Sequence, residues 1–444
     1  MIELSPEIVT ILMFGGVLVG VLIGYPLAIA IGGVALIVGF LIFGTPVFGV
    51  LYSRLFSLIS SYVILAVPLF VFMGIMLERS GIADKMYDAL YLWLGGLRGG
   101  LAIATVLVGT ILAATVGIVG ASVTMLSLIA LPAMVKRGYS KSLASGAVCA
   151  GGTLGILIPP SIMLVIYGPM AGVSVGKLFM AAFFPGFVLS GLYITYIAIR
   201  SLLQPKAAPA ISAEERAVPF LKKTTMLVSA LVPPAILILS VLGVIFFGIA
   251  PPTEAAAVGA FAAVLLTAAY GGFNMGVLKE TALRTLKVSG MVYLIGGLSF
   301  AYVGVFIRAG GANVVESYIL AAPGGRWGAF AVIMFIVFIL GFFIDFIGIL
   351  FIMIPILSPI ADTLQFDPIW FGMMICINLQ MCFLTPPFAA SIFYLRGSAP
   401  PELEVTTIDI IKGVFPFVGL VIIGLGLCVF FPQIILWLPA KMIR

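Results

Sequence analysis

The sequence predicts an all-α polytopic membrane protein made of two related halves, each with five membrane crossings, a re-entrant hairpin and a broken transmembrane helix. Composition carries the first part of this prediction, since 63% of the 444 residues are hydrophobic and only 9% are charged. A water-soluble domain does not have such a composition. A proline pattern that occurs twice, 227 residues apart, carries the second part.

The repeated pattern is a proline, a Pro-Pro pair 27 residues later and a tyrosine seven residues after the pair. It comprises Pro132, Pro159-Pro160 and Tyr167 in the first half, and Pro359, Pro386-Pro387 and Tyr394 in the second. Each Pro-Pro pair removes two backbone donors and therefore interrupts a helix. A duplicated chain with helix breaks inside apolar sequence is typical of transporters whose binding site lies at the interface of the repeats.

Apolar spans of about 17–25 residues, the length that crosses a bilayer, predict five crossings in each half. They lie near 8–24, 27–46, 61–78, 143–168 and 181–200, and near 226–249, 253–271, 288–307, 369–395 and 413–437. Between the third and fourth crossing of each half, a stretch with a small or polar centre predicts a re-entrant hairpin, at 99–135 and 327–359. The predicted repeats are therefore residues 1–200 and 225–444, joined by a charged linker at 201–224.

The distribution of basic residues predicts the orientation, because cytoplasmic loops are enriched in lysine and arginine. With both termini outside, the linker is cytoplasmic and an odd number of crossings per half makes the repeat an inverted one. Of the 22 basic residues, this arrangement leaves outside only Arg54, Lys177, Arg308, Arg326, Lys441 and Arg444.

Several classes of function are disfavoured by residues that the sequence lacks. The chain has no histidine and its four cysteines show no metal-ligand spacing, so we expect no metal centre, no cofactor and no enzyme activity. An intramembrane protease needs two facing aspartates or a Ser-His pair, and an ATP-driven pump needs a phosphate-binding loop. The chain has one deep aspartate, no histidine and no such loop. The formal charge of +6 comes from dispersed loop residues and does not indicate nucleic acid. A channel is the remaining alternative, but broken helices with hairpins fit alternating access better.

The chemistry is expected at the two helix breaks, because irregular backbone at membrane depth persists only where it is buried or lines a cavity. The first break, 151–161, combines three glycines with the proline pair, so that freed carbonyls can coordinate a hard cation. The second break, 378–387, supplies side-chain oxygens from Asn378, Gln380 and Thr385. The alternative interpretation is an ordinary proline kink.

The hairpin centres form the second part of the predicted site. The first centre, 115–124, offers small residues and hydroxyls, whereas the second contains Asp345, the one acid with long apolar runs on both sides. A carboxylate at such depth costs about 2.5–3.5 kcal/mol on insertion scales and is by default a functional hypothesis; its alternative is a helix N-cap. The predicted substrate-binding residues are Ser122, Thr153, Ser161, Asp345 and Asn378.

The chain resembles a known family, the large membrane subunit of tripartite ATP-independent periplasmic (TRAP) transporters. The resemblance covers essentially the whole chain and lies in residues 152–161, Tyr167-Gly168, Leu178-Phe179, Pro185-Gly186, Pro68-Leu69-Phe70, residues 252–257 and Pro386-Pro387. It implies an elevator-type carrier of the wider ion-transporter superfamily, with a scaffold and a mobile transport domain, in a bacterial or archaeal cytoplasmic membrane. It also implies two partners, a small four-helix membrane subunit and a periplasmic binding protein that delivers a small organic acid.

The resemblance further implies two sodium sites. The first would use Gly117, Gly120, Ser122, Thr153, Gly155 and Pro159, and the second Asp345, Gly348, Gln380, Leu384, Thr385 and Pro386. The chain departs from the family where Gly120-Ala121-Ser122 replaces a Gly-Ser-Ser tip, which removes one hydroxyl. Independently, a chain without histidine and with one deep carboxylate has too few titrating groups for a proton relay, which favours sodium.

The predicted function is therefore sodium-coupled uptake of a small organic acid that a binding protein delivers. A stand-alone sodium-coupled carboxylate carrier remains the alternative, because it would share the inverted repeat and the hairpins. Arg308, at the end of a crossing, is either a substrate contact or a boundary anchor.

Overall fold

The computed structural model describes residues 3–117, 119–212, 214–215, 218–387 and 389–442, with only the backbone described at 114–116. Within these residues every regular element is helical. Ile118 of the first hairpin centre and Arg444 of the basic residues placed outside lie beyond the described residues.

The helices follow a similar order in the two halves, except that one long helix of the second half stands where the first half has two shorter ones, and a short helix at the end is additional. The first half contains α1 (Pro6–Ile23), α2 (Leu27–Phe43), α3 (Val47–Ile59), α4 (Ala66–Glu78), α5 (Ile82–Leu94), α6 (Gly100–Val116), α7 (Val119–Val135), α8 (Lys141–Thr153), α9 (Ile162–Ala171) and α10 (Val175–Leu203). The second contains α11 (Phe220–Phe246), α12 (Pro252–Ala269), α13 (Met275–Arg308), α14 (Gly311–Leu320), α15 (Gly325–Leu340), α16 (Phe346–Thr363), α17 (Pro368–Cys382), α18 (Ala390–Ser398), α19 (Thr407–Phe430) and α20 (Gln433–Leu436).

The described residues include seven helices that are long and apolar enough to cross a membrane, and α3 with α4 adds an eighth if this pair, bent by 55°, counts as one span. The chain is a polytopic all-α membrane protein. The prediction of ten crossings differs from this count in three ways. It includes α2, which has 17 residues, it includes the two broken helices, and it assigns α16 to a hairpin. That number stays a prediction.

Several element boundaries differ from the prediction. Helix α13 begins at Met275 and not near residue 288, and the crossing predicted at 61–78 is preceded by the unpredicted helix α3. Helices α5 and α14 were also not predicted. These segments carry charges that lower their hydropathy, such as Glu280 and Arg284 in the first turns of α13. Apolar spans alone therefore do not predict them.

Packing between the halves is reciprocal. The short helix α9 packs on α16 of the second hairpin, and its counterpart α18 packs on α7 of the first. In the same way, α2 packs on α13 and α12 packs on α4. Residues next to both hairpin turns and residues of both helix breaks lie together around one cavity.

Glycines fix the position of α8, the helix that leads into the first break. A Cβ on Gly109 of α6 would lie 2.6 Å from the carbonyl oxygen of Gly151, and one on Gly152 would lie 2.5 Å from Val123 Cγ2 and 3.0 Å from the Val123 nitrogen. The helices therefore approach backbone to backbone, as small residues allow in membrane interfaces. The first hairpin is held directly against the first break.

The linker between the halves runs from 204 to 219, shorter than predicted, because α10 extends to Leu203. It is docked on the ends of the hairpin helices. The Ser140 nitrogen donates to the Ala207 carbonyl at 2.8 Å, and Arg137 Nη2 lies 2.9 Å from Glu215 Oε2.

Candidate functional site

Both predicted helix breaks are present. Helix α8 ends at Thr153 and α9 begins at Ile162, with a short 3₁₀ turn between them. Helix α17 ends at Cys382, and α18 begins at Ala390. The Pro-Pro peptide bond is cis in each break.

A cavity of about 90 Å³ lies where the breaks and the hairpin turns meet. A larger groove of about 470 Å³ lies between α11 and α12, but it touches neither a hairpin turn nor a break. The central cavity is the candidate site because both halves build it. Its lining comprises Gly117, Val119, Gly120, Ile156, Ile162, Val288, Met291, Val292, Asp345, Phe346, Ile347, Phe383, Ala390 and Tyr394.

Four helices begin at this cavity. The first residues of α7, α9, α16 and α18 all belong to the lining, namely Val119, Ile162, Phe346 and Ala390. The first turn of a helix has backbone N–H groups without intrahelical partners and carries the positive end of the helix dipole. Their convergence makes the cavity favourable for an anionic group, and one of the four, α16, is already capped by the Asp345 carboxylate.

Asp345 caps a helix and also lines the cavity. Its Oδ2 accepts a hydrogen bond from the Ile347 nitrogen at 3.3 Å and so caps α16. The same residue is the one charged group in the described lining. Arg308 is absent from that lining and stacks over the Phe43 ring, 5.5 Å from its centroid.

The structure brings part of the first predicted sodium site together. Ser122 is fully buried and its hydroxyl has no hydrogen-bond partner. A Cβ on Gly155 would lie 3.6 Å from Ser122 Oγ, and a Cβ on Gly117 would lie 3.5 Å from the Pro160 carbonyl oxygen. Gly117 and Gly120 also line the cavity, so the first hairpin turn and the first break share one small region.

The other residues predicted at the first break are fully buried behind the cavity lining. The Thr153 hydroxyl donates to the Ala150 carbonyl at 3.0 Å, and the Ser161 hydroxyl donates to the Ile156 carbonyl. Pro159 is also buried. Both hydroxyls are therefore engaged by the local backbone.

Of the six residues predicted for the second sodium site, Asp345 alone lines the cavity. Gly348 faces α2, since a Cβ there would lie 2.9 Å from Leu27 Cδ2. The Thr385 hydroxyl donates to the Met381 carbonyl at 2.8 Å.

The two amides of α17 point away from the cavity. Asn378 Nδ2 donates to the Met334 carbonyl of α15 at 2.7 Å. Gln380 is fully buried, and neither its amide nitrogen nor its amide oxygen has a hydrogen-bond partner. Leu384 is buried and Pro386 half-buried within the break itself. None of the four contributes to the described lining.

Tyr394 is a cavity residue that the sequence analysis did not assign to the site. A Cβ on Gly120 would lie 2.9 Å from Tyr394 Cζ, so the ring covers the first hairpin turn. Its repeat counterpart Tyr167 is 1% exposed and packs on Gly372 of α17. The tyrosine that recurs in both halves marks this position in the sequence. The repeat does not reveal that Tyr394, and not Tyr167, lines the cavity.

Comparison with known proteins identifies the family. Residues 12–434 match the model of the tripartite ATP-independent periplasmic transporter, DctM component. The C4-dicarboxylate TRAP transporter large permease protein DctM of Pseudomonas aeruginosa is 31% identical over 389 residues, which cover 87% of this chain and 88% of that protein. The ectoine TRAP transporter large permease protein TeaC of Halomonas elongata is 28% identical over 426 residues, covering 94% and 96%.

The fold is also similar to a solved structure. The Alcanivorax borkumensis YdaH transporter superposes with a TM-score of 0.53 at 15% identity, covering 88% of this chain and 89% of that one. The likeness at this identity concerns the fold alone. The family match over nearly the whole chain shows that this protein belongs to the DctM family, the large permease component of TRAP transporters, and is a transport protein and not an enzyme.

Proposed function

We propose that this chain performs sodium-coupled secondary uptake of a small organic acid across the cytoplasmic membrane. The observation that carries the proposal is the central cavity, where four helix N-termini and a single carboxylate meet. The N-termini favour the acid group of the substrate, while Asp345 favours a cation. A site with these two requirements suits cotransport of an anion with a hard monovalent cation.

Sodium is proposed to bind next to the cavity at oxygen atoms of the breaks and hairpin turns. The buried Ser122 hydroxyl is without a partner, and Gly155 and the Pro160 carbonyl lie against the same hairpin. A buried hydroxyl without a partner costs about 1–3 kcal/mol, and a coordinated ion would offset that cost. The second ion is proposed to bind near Asp345.

Alternating access is proposed to occur by an elevator motion of an inverted repeat, with residues 1–200 and 225–444 as the repeats and both termini periplasmic. The cavity lies between α13, which contributes Val288, Met291 and Val292, and the hairpins with their breaks. Movement of the hairpin side past α13 would separate the two walls. Such a motion exposes one site alternately to the two faces of the membrane.

Two partners are proposed, a small four-helix membrane subunit and a periplasmic substrate-binding protein. The family description names a tripartite periplasmic transporter. This chain covers 65% of the isethionate TRAP transporter permease protein DctMQ of Oleidesulfovibrio alaskensis, which is 28% identical over 424 residues. That relative is longer than its matched part, which supports a further component beside the DctM unit.

The test is uptake of labelled organic acids into proteoliposomes that hold this chain and its small subunit, with an inward sodium gradient. We expect uptake that requires both sodium and the binding protein, with a choline gradient as the control. Sodium-driven uptake without the binding protein would establish the stand-alone carrier instead. Uptake that is indifferent to sodium would refute the coupling.

A further inference from the structure

The cavity lining is mostly apolar, and its charge is negative. Among the described lining residues, Asp345 is the one charged side chain and the Tyr394 hydroxyl is the other polar side-chain group. No lysine or arginine belongs to this lining, and the chain contains no histidine. Donors for an anionic substrate therefore come from the backbone at the helix N-termini and from the Tyr394 hydroxyl.

The remaining wall is built from aromatic and aliphatic side chains. The rings of Phe346 and Phe383 lie 5.5 Å apart, centroid to centroid, one from the second hairpin and one from the second break. On the opposite side α13 contributes Val288, Met291 and Val292. Such a wall stabilises a ligand by burying apolar surface and offers nothing to a second carboxylate.

We propose that the substrate is a monocarboxylate with an apolar aliphatic or aromatic body, and that this cavity discriminates against dicarboxylates. The inference rests on the proposed function, because it assigns the substrate class of the same site. One carboxylate occupies the helix N-termini, and the body lies against Phe346, Phe383 and α13. A second carboxylate would meet the apolar wall, where it loses its hydration without gaining a partner, and this reduces affinity.

The test uses a cysteine placed in the cavity wall, because its labelling reports binding without any contribution from the selectivity of a binding protein. All four native cysteines are buried, so the native chain sets the labelling background. Met291→Cys places a thiol in the lining. Lys287→Cys is the matched control, exposed and four residues away on the same helix. The readout is the rate of maleimide labelling of the purified complex in NaCl or choline chloride, with unlabelled acids added.

Butanoate and succinate form the decisive pair, because both have four carbons and succinate differs by its second carboxylate. We expect butanoate to slow the labelling of Met291→Cys in NaCl at a concentration at least tenfold lower than succinate, with Lys287→Cys unaffected. Along the series from propanoate to hexanoate, the protecting concentration should fall by about fourfold per methylene until the cavity is full, which is the equivalent of about 0.8 kcal/mol per buried CH₂.

Each outcome separates the inference from the function on which it rests. Sodium-dependent protection by succinate at a concentration equal to or lower than that of butanoate would overturn the monocarboxylate inference and leave sodium-coupled acid transport standing. An absence of sodium-dependent protection by every acid in the panel would overturn both. A flat response along the series, with butanoate still preferred, would refute the apolar contact as the source of selectivity.

Discussion

The two roles of Asp345 can be separated by two substitutions at the same position. The carboxylate caps α16 through the Ile347 nitrogen, and it carries the charge of the cavity. Asp345→Asn removes the charge but keeps a side-chain oxygen, and asparagine is as good an N-cap as aspartate. Asp345→Ala removes both the charge and the cap. The difference in stability between the two variants therefore measures the cap, and a loss of sodium affinity that both variants share measures the charge.

The expected magnitudes differ for the two roles. Loss of an N-cap costs roughly 1 kcal/mol of stability, so Asp345→Ala should be less stable than Asp345→Asn by about that amount. A carboxylate at membrane depth costs about 2.5–3.5 kcal/mol, and a bound sodium ion that offsets this cost gains the same amount. At about 1.4 kcal/mol per tenfold, both variants should lose roughly 60- to 300-fold in apparent sodium affinity.

Sodium titration of proteoliposome uptake, together with thermal unfolding in choline chloride, tests both expectations. Both variants should insert normally, since neither adds a polar group to the membrane. A wild-type sodium response in Asp345→Asn would show that the carboxylate acts only as a cap and would remove Asp345 from the sodium site. A sodium response that is lost in Asp345→Ala but kept in Asp345→Asn would lead to the same conclusion.

Two further predictions concern packing and the first sodium site. Gly372→Ala should lower stability by about 1–3 kcal/mol in thermal unfolding, because the new Cβ would lie 2.5 Å from Cε1 of the buried Tyr167 ring; Gly419→Ala, with nothing within 4 Å, is the control and should not destabilise. Ser122→Ala should leave stability unchanged or raise it, since the buried hydroxyl has no partner, yet weaken sodium activation of uptake. Unaltered sodium activation in that variant would exclude Ser122 as a ligand.

The sequence predicted the breaks from a local signal, a Pro-Pro pair that occurs at the same place in both halves. The pair alone is not sufficient, because Pro233-Pro234 also lacks two backbone donors and yet lies within the continuous helix α11. Helices α6 and α7 span 100–116 and 119–135, close to the predicted 99–135. Here a local signal, a small-residue centre between apolar runs, was sufficient.

The direction of individual side chains could not be predicted in the same way. Asn378 and Ser161 were expected to bind substrate, but their donors are engaged by the Met334 and Ile156 carbonyls. Those acceptors come from packing between α17 and α15 and from the course of the chain after α8. Hydropathy likewise missed the charged first turns of α13, because they extend beyond the apolar core of the span.

The two halves have a similar helix order and differ in the chemistry of their turns, and a carrier needs both properties. The proposed alternating access requires two arrangements of similar energy, and a frame of equivalent halves with reciprocal packing would provide them. Binding needs only one set of polar groups. The first turn presents Gly117 and Gly120 to the cavity, whereas the second presents Asp345. A second carboxylate in the first turn would leave two like charges facing one cavity, which is costly at low dielectric. With a single carboxylate, the one sodium ion that we propose near Asp345 would neutralise the site, and the substrate could bind without facing an uncompensated like charge.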